Sequence, residues 1–197
     1  MNKQIKTRRG GPRTFDRDDA IEIAMRMFWQ RGYEGVGISD LTKAIGIAPP
    51  SLYAAFGSKA GLYREALERY GRLPGALDGL ASSDDLNAAL EGMFRAAIDA
   101  VTCFPTERGC MIFSAMLQCA DVHQELANDL MRLRAKIREA IALELERWLP
   151  TERAQALARY CATVLQGLSV SSCDGASRDE LLQVVEVSMC GLRAQIG

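Results

Sequence analysis

Apolar residues recur every three or four positions along most of this chain, and strand-like alternation is almost absent. The spacing predicts an all-α fold of about nine helices. "FDRDDAIEIAMRMFWQRGY" opens with Asp16 as a candidate N-cap and carries acidic residues in its first turn. Ile21, Ala24, Met25 and Phe28 share one face, and Gly32 is a natural stop. A short helix is expected from Ile38 to Ile45, with Leu41 and Ile45 inward and Gly46 ending it. In "GIAPPSLYAAFGSK" the two prolines fit only a first helical turn, where a missing N–H costs nothing. A second short helix therefore begins there, with Leu52 and Phe56 inward and Gly57 as its end. Ser58 can cap the next helix, which runs through "KAGLYREALERYGR" toward Pro74. Two short helices joined by a tight turn at Gly46 make a helix-turn-helix.

Beyond this point "LPGALDGLASSDD" reads as a linker, rich in turn residues. A helix is expected from Asp84 to Cys103, broken by "FPTERG". "CMIFSAMLQCA" is nearly all apolar and predicts a short, centrally buried helix. From Val122 to Trp148 the inward positions Leu126, Leu130, Leu133, Ile137, Ile141, Leu145 and Trp148 predict a long amphipathic helix, ended by Pro150. "TERAQALARYCATVLQGLSVSS" and "RDELLQVVEVSMCGLRAQI" complete the set around a turn at "CDGAS". The chain divides into a basic arm over 1–15, a helix-turn-helix unit over 16–75 and a larger helical unit over 76–197.

Charge sharpens this division. The net charge of −1 hides 13 Lys and Arg against 8 Asp and Glu in residues 1–75, and 11 against 17 in residues 76–197. A basic front on an acidic back points to a polyanion partner for the front alone. No apolar run is long enough to cross a membrane, and no apolar segment follows the basic start, so a cytoplasmic location is expected. The 6 cysteines all lie in the back half, and none is spaced as C-x-x-C. With a single histidine, His123, they form neither a zinc pattern nor a disulfide framework. No cofactor or nucleophile motif is present, which argues against an enzyme.

"RRGGPRTFDRDDAIEIAMRMFWQRGYEGVGISDLTKAIGIAPPSLYAAFGSKAGLYREAL" resembles the DNA-binding domain of the tetracycline-repressor (TetR) family of bacterial transcription regulators. In the second half, "RGCMIFSAML" and "LQGLSVSSCDGASRDELLQVVEVSM" are similar to stretches of that family's ligand-binding and dimerisation domain. The resemblance implies contacts to double-stranded operator DNA from Ser39, Pro49, Pro50, Ser51, Tyr53, Ala54 and Lys59. Tyr53 would bind a phosphate. Lys59, at a helix start, would hold another together with backbone N–H groups. Arg8, Arg9 and Arg13 belong to an arm that can enter a minor groove, as homeodomain arms do. Pro49, Pro50, Ala54 and Ala55 stand where relatives more often carry Lys, Gly, His or Tyr, and Gly37 replaces a usual Ser or Thr. Apolar contact with thymine methyl groups and positioning on phosphates are therefore expected to outweigh bidentate base pairing.

The resemblance also implies a homodimer and a small-molecule inducer that lowers DNA affinity. Apolar strips on the last two helices, with Val164, Leu168, Leu181, Val184, Val185, Met189 and Leu192, are the expected interface, a four-helix bundle about a two-fold axis. Met93, Phe94, Met111, Met116, Cys119 and Cys161 are candidate pocket residues, although core packing is the stronger reading of each. Two other readings stay open. One is thiol-based sensing of an oxidant or electrophile, with Arg108, near Cys110, as the candidate cation that would lower a thiol pKa. The other is a protein-interaction module of the same fold that has lost DNA binding.

Overall fold

A computed structural model describes residues 15–196, which form nine α-helices and one 3₁₀ turn. The amino-terminal unit comprises α1 (Arg17–Arg31), α2 (Ile38–Ile45), α3 (Pro49–Phe56) and α4 (Lys59–Tyr70). The larger unit comprises α5 (Ala76–Leu80), α6 (Leu86–Thr102), α7 (Gln124–Leu145), α8 (Thr151–Cys173) and α9 (Arg178–Ile196).

The predicted caps operate. The Asp16 carboxylate accepts from the Asp18 and Asp19 N–H groups at 2.8 and 3.2 Å. The Ser58 hydroxyl accepts from the Gly61 N–H at 3.0 Å. At the turn between α2 and α3, Gly46 has φ 79° and ψ 31°, a left-handed conformation that glycine enters at little cost. Its N–H and that of Ile47 both bond the Thr42 carbonyl, at 2.9 and 3.0 Å, so the chain reverses without orphaned donors.

Two apolar cores result. One lies among α5, α6, α8, α9 and the end of α7, and includes Leu90, Met93, Phe94, Ile98, Ile141 and Leu145. The other lies under α1–α4, with Ala24, Phe28, Leu41, Leu52, Leu62 and Tyr63. It does not stop at the end of the front unit: Met111, Ile112, Leu126 and Leu130 belong to it. The amino-terminal helices therefore complete their core with residues from the larger unit.

Two expectations are corrected. The stretch read as a linker contains α5, whose Leu80 is fully buried against α6. Ile45 packs against the front core as expected, though it is half-buried. Most importantly, "CMIFSAMLQCA" is not a helix but a series of turns and bends in a long connection between α6 and α7. Tertiary partners take the backbone groups that a helical ladder would have used. Ser169 Oγ accepts from the Cys110 N–H at 2.8 Å. The Cys110 sulfur accepts from the Ile112 and Phe113 N–H groups at 3.4 and 3.5 Å. Arg134 donates to the Ile112 and Ala115 carbonyls at 2.8 and 3.2 Å. Met116, at φ 49°, is the one non-glycine residue with positive φ among the described residues.

Candidate nucleic-acid interface

Helix α3 is eight residues long and has no polar cap, so its neighbours hold it. Leu52 is fully buried and Phe56 nearly so. Phe56 is covered by Phe15 at 6.2 Å and by the Arg17 guanidinium at 4.9 Å from the ring. The opposite face carries Pro49, Pro50, Ser51, Tyr53 and Ala54, all exposed, with Tyr53 at 49%. Ser39 is exposed at the start of α2. The fold thus brings six of the sequence-derived candidates onto open surface of adjoining elements.

Lys59 is different. It is half-buried, with its ammonium 4.1 Å above the Tyr33 ring. Burial lowers its pKa, while the Glu34 and Asp40 carboxylates oppose the shift. The lysine is anchored by a cation–π contact at the first turn of α4, neither sealed inside nor free in solvent. Tyr33 is held in turn by Phe28, Tyr63 and His123 at ring distances of 6.0, 5.1 and 5.0 Å. Arg8, Arg9 and Arg13 lie outside the described residues.

Sequence reasoning missed Lys43. It is exposed, lies one turn beyond Ser39 on α2, and makes no ion pair among the described residues. The i, i+4 spacing from Ser39 was the available signal. Arg31 beside it is already engaged, 3.8 Å from Asp40.

A second arrangement that sequence reasoning missed joins the front unit to α8. The Trp29 indole N–H of α1 donates to the Gly109 carbonyl at 2.8 Å, in a buried setting. Gln30 donates to the buried Glu107 carboxylate at 3.1 Å, and Arg26 lies 3.6 Å from it. Phe104 packs edge-on against Trp29 at 5.9 Å, and Tyr70 of α4 does so at 4.9 Å. On the other side, Arg108 donates to the Ser172 carbonyl at 2.8 Å and also to the Ala176 carbonyl. Residues 104–112 are therefore a strap, bonded to α1 at one edge and to the end of α8 at the other. Arg108 caps α8 and does not activate Cys110, whose thiol is pushed up by burial despite the facing Tyr70 hydroxyl and two backbone N–H groups.

The six candidate pocket residues do not converge. Met93, Phe94 and Cys161 lie in the core of the larger unit, where burial pushes the Cys161 thiol up to about 12. Met111 belongs to the other core. Met116 and Cys119 are half-buried farther along the connection. Two open grooves exist, of about 300 Å³ between α6 and α9 and about 290 Å³ between α8 and α9, and none of the six lines either.

The expected interface residues also divide. Leu168, Leu181, Val185, Met189 and Leu192 are at most 4% exposed and belong to the chain's own core, where α6 packs against both α8 and α9. Val184 is 50% exposed and Val164 half-buried. Around them Tyr160, Val170 and Val187 are exposed.

An exposed short helix held over a compact helical trio, set on a larger all-helical unit, defines a helix-turn-helix transcriptional regulator. Comparison with known proteins agrees. The family model described as "Bacterial regulatory proteins, tetR family" matches residues 20–66. The chain is 31% identical over 205 residues to the transcriptional repressor ComR of Escherichia coli K12, covering 94% of this chain and 92% of ComR. It is 31% identical over 175 residues to the repressor BdcR of the same strain, covering 87% and 86%. Among solved structures, a cysteine mutant of the TetR-family regulator CifR in complex with 26-bp operator DNA superposes with a TM-score of 0.82. Its identity is 36%, over 91% of this chain and 98% of that one. The chain belongs to the tetR family of bacterial regulatory proteins and is a DNA-binding transcriptional regulator.

Proposed function

We propose that the protein is a homodimeric repressor that leaves its operator when a small-molecule inducer binds the larger unit. The observation that carries the DNA-binding part is the open side of α2 and α3, where Ser39, Lys43, Ser51 and Tyr53 are all exposed, with Lys59 half-buried at the start of α4. Pro50 and Ala54 add apolar area suited to thymine methyl groups, while the hydroxyls and ammonium groups suit phosphates. Repression is supported by the names of ComR and BdcR, both repressors.

Dimerisation is supported by apolar surface that the single chain leaves open. Tyr160, Val164 and Gly167 follow one another along α8 at i, i+4, i+7, and Val184, Val187 and Gly191 along α9 at i, i+3, i+7. No neighbouring atom lies where a Cβ would stand on either glycine, so a second pair of helices can approach closely there. Val184 and Val187, 50% and 76% exposed, would each gain about 1 kcal/mol or more from burial in a dimer.

The test is selection of genomic DNA fragments by the purified protein, followed by affinity measurement on the recovered sequence. A steep fall in affinity with salt is expected, and Tyr53→Ala and Lys43→Ala should each weaken binding and, for Lys43, reduce the salt slope by about one. Selection of no sequence, with the chain folded and dimeric, would leave only an interaction module.

A further inference from the structure

The strap that ties α1 to α8 carries one cysteine and is met by another. The Cys173 sulfur, in the last turn of α8, lies 3.6 Å from the Arg108 carbonyl and 3.8 Å from Ser114 Oγ. Ser114 Oγ in turn donates to the Cys110 carbonyl at 2.8 Å. Gly109 makes this approach possible. Its φ is 76°, and a Cβ built there would fall 2.2 Å from the Cys173 sulfur. The sulfur thus occupies the space of the side chain that residue 109 lacks, one residue from Cys110. Cys173 is exposed and Cys110 half-buried.

We propose that Cys110 and Cys173 are a hydroperoxide-sensitive pair that closes into a disulfide, and that closure releases the strap from α1. The chemistry balances with hydrogen peroxide as the oxidant. The Cys173 thiolate attacks one peroxide oxygen, the O–O bond breaks, and a water leaves with the thiol proton, giving a sulfenic acid. The Cys110 sulfur then displaces the second oxygen as water, forming the S–S bond. Two thiols lose two electrons and peroxide is reduced to two waters.

Exposure assigns the order: Cys173 meets the oxidant, and Cys110 resolves. The Cys110 thiol, raised by burial, is poorly suited to attack first. To reach Cys173, the Cys110 sulfur must leave the Ile112 and Phe113 N–H groups that now donate to it. It also leaves the Tyr70 hydroxyl at the end of α4. The turn at 109–113 must then rearrange, and the Gly109 carbonyl that accepts from Trp29 moves with it. Oxidation therefore acts on two helices of the DNA-binding unit through contacts already in place. This inference rests on the proposed repressor function for its outcome on DNA, though not for the disulfide itself.

The experiment treats the full-length protein with hydrogen peroxide, blocks free thiols, and maps linked peptides by tandem mass spectrometry. The Cys110–Cys173 pair should dominate, disappear in Cys110→Ser and Cys173→Ser, and reverse with dithiothreitol. Affinity for a DNA fragment selected by the reduced protein should fall about tenfold on oxidation and stay unchanged in Cys173→Ser. A different dominant pairing, or sulfinic acid at Cys173 without a disulfide, overturns the proposal. So does a disulfide that leaves DNA affinity unchanged. Should Cys110→Ser fail to fold, the exposed Cys173→Ser carries the same comparison. If the reduced protein selects no DNA, the repressor reading fails while the peptide map still decides the disulfide.

Discussion

Two tryptophans give the strap a matched test. Trp29 donates its indole N–H to the Gly109 carbonyl at 2.8 Å, and Trp148 donates to the Asp84 carbonyl at 2.7 Å. The bonds are nearly equal in length but not in setting. Trp29 is 8% exposed and its bond is buried, whereas the bond of Trp148 lies at the surface. Replacing either residue by phenylalanine keeps an aromatic ring and removes the donor. At residue 148 water takes the vacated acceptor, so the expected cost is below about 0.5 kcal/mol. At residue 29 the Gly109 carbonyl is left buried without that donor, at about 1–3 kcal/mol. The edge-on contacts to Tyr70 and Phe104 survive in part, so about 2 kcal/mol is the central expectation for Trp29→Phe. In a chain of this length that lowers Tm by about 4–8 °C. Urea unfolding followed by circular dichroism reads both variants on one scale. Equal midpoints for Trp29→Phe and Trp148→Phe would refute the claim that the strap is held to α1 by a buried bond.

Two further outcomes follow from the same contacts. The Glu107 carboxyl is held below the ordinary range first by the Thr106 hydroxyl and then by Gln30 and Arg26, against its own burial. Glu22 and Asp129 are likewise lowered, their arginine partners outweighing desolvation. Groups depressed in the folded state contribute stability that is full above their unfolded values of about 4 and lost as pH falls through the folded ones. Urea midpoints should therefore fall steadily below about pH 4.5, and Glu107→Gln should flatten that slope, with an unchanged slope counting against the assignment. Gly109→Ala forces a β-carbon onto the Cys173 sulfur and an L-residue into positive φ, and should destabilise by about 2 kcal/mol or more. Adding Cys173→Ala should recover the steric part and leave the backbone part, so additivity in a double-mutant cycle would be the contrary result.

How much of this was legible beforehand varies by element. Local chemistry decided the front unit. Asp16, Gly46, the Pro49–Pro50 pair and Ser58 each act within three or four residues of themselves, so α1, α2 and α3 fall where the apolar spacing and caps place them. The open face of α3 was equally legible, because burying Leu52 and Phe56 leaves Tyr53 and Ala54 outward on a 3.6-residue period.

The connection after α6 could not be read this way. Its apolar run has helical composition, but Trp29, Ser169 and Arg134, distant in sequence, claim its backbone groups. The last two helices show the same limit from the other side. A wide apolar arc announces that α8 and α9 are buried on more than one face. Only the packing of α6 against α9 decides that Val185 and Met189 go inward while Val184 and Val187 remain outside. Periodicity and capping are properties of neighbours along the chain, and they set the helices, the turn and the open face of α3. Which apolar face meets which, and where a carbonyl finds its donor, are properties of neighbours in space, and they alone placed the strap and the sulfur beside it.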